Sequence, residues 1–423
     1  MKKFVVTLIV LMLSACTQRF EYEPKAKDEE VDIAITSDIH YIDPELKDGD
    51  TFIEVNERSD GKLSIYVEEI TDKFIDTMIE VSPDIVIING DLTFNGERSS
   101  HELLAQKLDK LRAHDIQPLV IPGNHDILNA HAYDYRDEVY YTDRIDVAMF
   151  KDYYKDCGYT DALSYDEASL SYLYEASASL WLFMLDSNTY EKNTNFAPSS
   201  EGQIKEETLA WMQGLLEDKD PDTDVIIFMH HPLIDISNTP SYVITNDDEM
   251  LEFTDRNDIE LVITGHIHAQ NYKTIAQEDN ELTNFGISSL SVYDHQYTRL
   301  TYKDHKVDMR SIDLNLEGYS DDPFFTDFDK NAREYFKTYS TTRLLGAYDG
   351  DDIEPYLSDV LFDLKGEENV YTFSGEGYRL HDLIFSNPYI DEIKKYEDSY
   401  AESIFRAIKT FDKDATKFSC VLK

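Results

Sequence analysis

The stretch LVIPGNHDIL, Leu119 to Leu128, decides how this chain is read. Leu119, Val120 and Ile121 form a short apolar run that stops at Pro122-Gly123, and Asn124, His125 and Asp126 follow at once. An apolar run closed by Pro-Gly is a buried strand running into a turn. Polar residues at one such turn mean little alone, because strands commonly end that way. The stretch gains meaning only if other strands end in the same kind of residue.

They do. VDIAITS (31–37) is a strand entering Asp38 and His40, and DIVIING (84–90) is a strand entering Asp91. DVIIFMH (224–230) ends on His230 and His231, and ELVITGH (260–266) ends on His266 and His268. Between strands the period changes. In YVEEITDKFIDTMIEV (66–81), Val67, Ile70, Phe74, Ile75 and Met78 stand at helical spacing. SHELLAQKLDKLRAH (100–114) reads as a helix capped by Ser99 or Ser100 with Glu102 behind it. Further helices are predicted around 201–218 and 246–257, and strands in SLSYLYEA (169–176) and LWLFMLDS (180–187). The region 282–314 is β-rich, with a hairpin turn at Lys303-Asp304-His305. Strands that alternate with helices, each a continuous apolar run, imply an α/β layered fold with a largely buried sheet. Beyond Gly318 the segments 323–345, 352–365 and 390–411 are helical in period, which predicts a helical C-terminal domain over 318–423.

The 423 residues suffice for one large domain and a smaller one. With 39 Lys+Arg against 85 Asp+Glu, the formal charge is -46. A surface that acidic repels polyanions, so a nucleic-acid polymer is not an expected partner, and solubility explains most of the excess. At the N-terminus, MKKFVVTLIVLMLSACTQ has Lys2 and Lys3, an apolar run from Phe4 to Leu13, then Ser14-Ala15-Cys16. A basic start, a short apolar core and small residues before a break describe a secretory signal over 1–15, too short to span a membrane. Leu-Ser-Ala-Cys resembles the lipobox of bacterial lipoproteins. That resemblance implies lipid attachment at Cys16, membrane anchorage and a folded domain on the extracytoplasmic side. Residues 16–31 are polar and read as a tether to a catalytic domain over 32–317. Cys157 and Cys420 form either one bridge or two unpaired thiols.

In open α/β sheets the loops at the carboxyl ends of strands converge on one crevice. Asp38, His40, Asp91, Asn124, His125, His230, His266 and His268 all sit at such ends. Carboxylates, imidazoles and one amide carbonyl suit divalent Mn, Fe or Zn. Their number exceeds what one tetrahedral ion takes and suits two ions sharing a carboxylate. Gly90, Gly123 and Gly265 precede key residues and permit tight turns.

The five motifs together resemble the calcineurin-like metallophosphoesterase superfamily, whose pattern is D-x-H, G-D, G-N-H-[D/E], H and G-H-x-H, over Val31 to Leu314. The resemblance implies a layered α/β/β/α sandwich. It places one metal on Asp38, His40, Asp91 and His268, and a second on Asp91, Asn124, His230 and His266. It makes His125 the catalytic histidine, donating a proton or hydrogen bond to the departing oxygen in a two-metal hydrolysis. In the protein-phosphatase-like branch G-D-x-x-D supplies a carboxylate that orients this histidine, but here that position is Phe94. Phe94 also has no oxygen for the metal-binding tyrosine of purple acid phosphatases, so Asp126 or another group must orient His125. GDLT, GNHD and HHP are similar to class III cyclic nucleotide phosphodiesterases, and the whole plan to cyclic nucleotide phosphodiesterase-type lipoproteins of Gram-positive bacteria.

The function this implies is dinuclear metal-dependent hydrolysis of 3′,5′-cyclic nucleotides or similar small phosphodiesters outside the cytoplasmic membrane. The alternatives are a phosphomonoesterase or nucleotidase on the same core, and a non-catalytic surface lipoprotein with a vestigial site. Asn124 and His231 are candidates for substrate contact, and for His231 a structural role weighs as much. His101, His114, His131 and His295 lie off the motifs and are read as surface or loop residues. The 29 tyrosines offer stacking surfaces, but no spacing marks a nucleoside pocket.

Overall fold

Short apolar strands with branched side chains build two sheets. The computed structural model describes residues 20–47, 50–136, 138–193, 198–278, 280–345, 355–395 and 400–422. Strands β1 (Val31–Thr36), β2 (Ile85–Asn89) and β3 (Gln117–Ile121) run parallel, with Ile33 opposite Ile85 and Ile87 opposite Leu119. A small hairpin, β4 (Tyr133–Asp134) and β5 (Tyr140–Tyr141), stands apart. A second sheet gathers β6 (Ser164–Tyr165), β7 (Tyr172–Ser177), β8 (Leu180–Leu185), β9 (Asp224–Met229), β10 (Leu261–Thr264), β11 (Asn271–Ala276) and β12 (Glu281–Gly286). Strands β13 (Gln296–Lys303) and β14 (Lys306–Asp313) form the expected hairpin, and β15 (Lys417–Val421) is the last of the described elements. Both turn residues of that hairpin, Asp304 and His305, have positive φ, as a two-residue type I′ turn requires.

The first sheet has the order β15-β14-β13-β1-β2-β3 and the second β11-β12-β10-β9-β8-β7-β6. Side-chain alternation assigns the layers. Leu182, Met184, Ile226, Phe228, Leu261 and Ile263 point between the sheets, while Phe183, Leu185, Ile227 and Val262 point outward. Helices α2 (Val67–Val81) and α3 (Arg98–Arg112) cover the first sheet, and α5 (Glu206–Glu217) and α6 (Asp247–Arg256) the second; short helices α1 (Asp50–Asn56) and α4 (Val147–Tyr153) flank them. The result is the expected α/β/β/α sandwich with buried parallel strands.

Local details differ from expectation for physical reasons. Helix α3 begins at Arg98 with Glu97 at its cap, and the Ser100 hydroxyl instead accepts the Asp43 N–H at 3.0 Å. The segment read as a tether is laid on the body from Phe20 on. Arg112 donates to the Phe20 carbonyl at 2.8 Å, Tyr22 to the Ala176 carbonyl at 2.9 Å, and Lys25 pairs with Asp84 at 2.7 Å. Residues 1–15 and Cys16 lie outside the described residues. No helix among the described residues is long and apolar enough to cross a membrane. Cys157 and Cys420 are both free thiols.

After Gly318 come α7 (Phe328–Leu345), α8 (Pro355–Ser374), α9 (Leu380–Phe385), α10 (Ile390–Ile393) and α11 (Tyr400–Thr410). The predicted helices over 352–365 and 390–411 are thus found in their described parts, residues 352–354 and 396–399 lying outside them. Leu357, Leu361 and Leu364 of α8 pack with Ile236, Ile267 and Ala269 from the sandwich. The segment does not end in helix: β15 returns to pair antiparallel with β14 at the edge of the first sheet.

Candidate metal centre

The site forms where β1, β2, β3, β9 and β10 end. Five of its residues leave those strands with φ in the left-handed region: Asp38 (51°), His40 (50°), Asp91 (47°), His266 (70°) and His268 (58°). Each such conformation costs a side chain on the order of 1 kcal/mol. The backbone ties that hold it include Asp38 N–H to Gly90 O and His40 N–H to Asp91 O, both at 3.0 Å, and Gly265 N–H to His230 O at 2.9 Å. The three glycines act mainly through space. Gly90 alone has positive φ, whereas a Cβ on Gly123 or Gly265 would stand 2.1 Å from Asp91 N or 2.0 Å from Ser37 Oγ.

These turns bring the expected ligands together in two groups. Asp38, His40, Asp91 and His268 present ligand atoms within 4.8 Å of one another, as do Asp91, His230 and His266. Asn124 joins the second group, its Oδ1 at 3.2 Å from His230 Nε2. Asp91 belongs to both groups. Each carboxylate has one oxygen held by protein and one facing the imidazoles. Asp38 Oδ2 accepts from Ser37 Oγ at 2.5 Å and His266 N–H at 3.1 Å, while its buried Oδ1 has no hydrogen-bond donor and faces His268 Nε2 at 3.3 Å. Asp91 Oδ1 accepts the His125 N–H at 2.8 Å, and its Oδ2 faces His230 Nε2 at 3.5 Å and His40 Nε2 at 3.8 Å.

That arrangement fits divalent cations. His40 Nε2 and His268 Nε2 face each other at 3.1 Å, a contact two ring nitrogens share well with an ion between them. His266 Nε2 is buried with no hydrogen-bond partner among the described residues. His230 Nδ1 donates to Asn89 O at 3.0 Å, which fixes the tautomer and turns the Nε2 lone pair inward. Burial opposes charge on Asp38 and Asp91, yet His268 and His230 respectively hold the two carboxyls below their ordinary range. Burial lowers His230 too, but Asp91 outweighs it and lifts the imidazole to about 9. Two buried carboxylates here recruit positive charge, which a metal pair would provide.

His125 stands beside this group rather than in it. Its side chain is 29 % exposed and its Nε2 lies 4.0 Å from Asp91 Oδ2. The ring is oriented by the Phe94 carbonyl, 2.9 Å from Nδ1, and by Asn95 Oδ1 at 3.0 Å. Asn129 supports both partners, donating to Asn95 Oδ1 at 3.3 Å and to the His125 carbonyl at 3.0 Å. Burial pulls the His125 imidazole down, Asp91 opposes this, and Lys62 adds to the fall. Asp126 does not orient His125. Its carboxylate accepts N–H groups of Leu92 (3.1 Å), Thr93 (2.9 Å) and Gly123 (2.8 Å), stitching the loop after β2 to the loop after β3.

Of the histidines read as surface or loop residues, His101 lies on a helix and is buried, and His295 lies in the loop before β13 but is buried as well. His101 on α3 contacts Thr93 Oγ1 at 3.0 Å and Tyr154 OH at 2.8 Å, behind the site, and His295 donates to the Leu290 carbonyl at 2.9 Å. His114 and His131 are exposed and half-buried. His231 is fully buried, 2.9 Å from Ser187 Oγ, with its ring 4.5 Å from that of His266. That packing favours the structural role. Asn95 and Lys62 were missed in the sequence. Asn95 had a signal in its place within GDLTFNGE, and Lys62, beyond α1, had none.

A family model described as calcineurin-like phosphoesterase matches residues 31–270. Glycerophosphodiester phosphodiesterase GpdQ of Enterobacter lignolyticus is 26% identical over 156 residues, covering 37% of this chain and 44% of that protein. Probable glycerophosphodiester phosphodiesterase GpdQ of Arcobacter nitrofigilis is 27% identical over 184 residues, covering 42% and 55%. The chain spans about half the length of the curated relatives it matches. A crystal structure of a dimetal phosphatase from Danio rerio aligns with a TM-score of 0.46 and 12% identity, over 67% of this chain and 96% of that one.

Proposed function

The chain belongs to the calcineurin-like phosphoesterase family, and from that premise we propose that it is a dinuclear metal-dependent phosphodiesterase acting on 3′,5′-cyclic nucleotides or similar small phosphodiesters. The observation that carries this reading is the pair of ligand groups meeting at Asp91, with the partly exposed His125 alongside. The two relatives, a glycerophosphodiester phosphodiesterase and a probable glycerophosphodiester phosphodiesterase, support a diester rather than a monoester.

In this reading Asp38, His40, Asp91 and His268 hold one ion, and Asp91, Asn124, His230 and His266 the other. The chemistry such a pair supplies is neutralisation of charge on phosphate oxygens and polarisation of water. Asn89, Ser37 and the His266 backbone fix the ligand side chains, so that no reorganisation is needed when charge develops. His125, anchored at Nδ1 by Phe94 and Asn95, would keep Nε2 toward the substrate, and in its imidazolium form would pass the Nε2 proton to the departing alcohol oxygen and be left neutral. The ions are Mn, Fe or Zn by ligand type. We place the enzyme on the extracytoplasmic face, anchored by lipid on Cys16, from the residue pattern of Met1–Cys16.

The test is an assay of metal-reconstituted protein lacking residues 1–16 on 3′,5′-cyclic AMP, bis-p-nitrophenyl phosphate and p-nitrophenyl phosphate. Diester hydrolysis is expected to dominate. Preference for the monoester would replace the reading with a phosphomonoesterase, and inactivity on all three with every metal would favour the vestigial site.

A further inference from the structure

Helix α8 carries a polar stripe on a face that packs inward. Lys365, Glu368, Asn369 and Thr372 follow the i, i+3, i+4, i+7 spacing of one helix face, and all are buried, with exposures of 8, 3, 7 and 5 %. A helix packed against a protein body ordinarily turns apolar residues that way. Lys365 and Glu368 pair with each other, and Asn369 Nδ2 donates to Ser340 Oγ at 2.9 Å. Among the described residues Thr372 Oγ1 has no hydrogen-bond partner. A buried hydroxyl without a hydrogen bond is uncommon and asks for an unbound ligand or water.

The stripe faces a cavity of about 620 Å³, which lies within the range that encloses ligands of drug size. His266 and His268 of the metal centre also line it, together with Tyr242, Phe373 from α8 and Phe411. Tyr242 is held edge-on to His266, ring centres 5.0 Å apart. One cavity therefore joins the metal centre, aromatic faces and a row of hydrogen-bonding groups.

We propose that this cavity is the pocket for the substrate's ester group, and that it takes a nucleoside. The inference rests on the phosphodiesterase reading, and it assigns substrate selection to the C-terminal helices. With the phosphate at the metal centre, the attached group extends toward α8. A heteroaromatic base covers an aromatic face and offers donors and acceptors at its edge, and Asn369 and Thr372 meet such an edge. A three-carbon polyol would leave the aromatic surface uncovered.

The test compares the full-length, metal-loaded protein with Thr372→Val, which keeps the side-chain shape, and with Asn369→Leu. Substrates are 3′,5′-cyclic AMP, glycerophosphocholine and bis-p-nitrophenyl phosphate, the last lacking a hydrogen-bonding base. Both variants are expected to lose at least about tenfold in kcat/KM on cyclic AMP, to stay within about twofold on bis-p-nitrophenyl phosphate, and to keep the wild-type metal content. Equal loss on both, or no loss on either, overturns the pocket. A loss confined to glycerophosphocholine overturns the nucleoside. Calorimetric binding of adenosine 5′-monophosphate to the same proteins reads the pocket without turnover: it should weaken about tenfold in Thr372→Val, and no binding by wild type overturns the proposal. Failure of wild type to hydrolyse bis-p-nitrophenyl phosphate would count against the phosphodiesterase reading instead.

Discussion

His125 Nδ1 lies 2.9 Å from the carbonyl oxygen of Phe94, and among the described residues no carboxylate hydrogen-bonds the ring. Burial holds the imidazole below its ordinary range, while Asp91 and the Phe94 carbonyl, which also fixes the tautomer, oppose that fall. Asn95 Oδ1, 3.0 Å away, is the side-chain part of this anchor. Asn95→Ala should lower kcat by about tenfold with KM little changed, because the ring loses one of two anchors. Asn95→Asp places a negative charge there and should move the His125-dependent limb of the pH–rate profile to higher pH. A profile identical to wild type would show that Asn95 does not reach the imidazole.

Gly265 and Gly214 make opposite cases for the same substitution. A Cβ at Gly265 would meet Ser37 Oγ at 2.0 Å and Asp38 Oδ2 at 2.8 Å, whereas one at Gly214, within α5, meets nothing within 4 Å. Gly265→Ala should displace Asp38, lowering both bound metal and Tm. Gly214→Ala should stabilise by about 0.5–1 kcal/mol through helix propensity, with activity untouched. Metal analysis and thermal melts on the two variants decide it.

Glu97 is buried beside the loop that carries Asp91, and burial lifts its carboxyl to about 8. The unfolded chain ionises near the ordinary carboxyl value, so between these pH values the folded state binds the extra proton. Stability from this group is therefore full at low pH and is lost as pH rises toward and through 8. Glu97→Gln removes that dependence. Wild type should lose stability relative to the variant between pH 5 and pH 8, by on the order of a few kcal/mol, in denaturant titrations at both pH values. Parallel curves would mean that the carboxyl is not held protonated.

Much of the centre was legible because its chemistry is written in residue types at strand ends. Asp38, Asp91, His125 and His268 follow apolar runs, and a strand end is where a parallel sheet places its site. The orienting group was not legible, since a backbone carbonyl at Phe94 leaves no trace in residue identity and an asparagine in a loop has many uses. His101 was misread because its helix buries a polar face against Thr93 and Tyr154. The docking of Phe20–Glu30 depends on Arg112 and Ala176, far away in sequence. The strand Lys417–Val421 alternates exposed and half-buried residues at a sheet edge, and only its pairing with Lys306–Arg310 identifies it. The polar stripe of α8 has the same origin: periodicity identified a helix, but not which face turns inward.

Asp91 is the shared member of both ligand groups, so its loss should cost more metal than any other single change. Asp91→Asn should leave fewer than one ion per chain by elemental analysis. His266→Ala, which touches the second group only, should leave about one. Equal retention in the two variants would remove Asp91 from its bridging place.

The most direct measurement is the metal content of His125→Ala together with its turnover of bis-p-nitrophenyl phosphate. His125→Ala should hold two ions per chain, as in wild type, with turnover reduced on the order of 10²- to 10⁴-fold. Loss of an ion from that variant, or turnover near wild type with both ions present, would contradict that expectation.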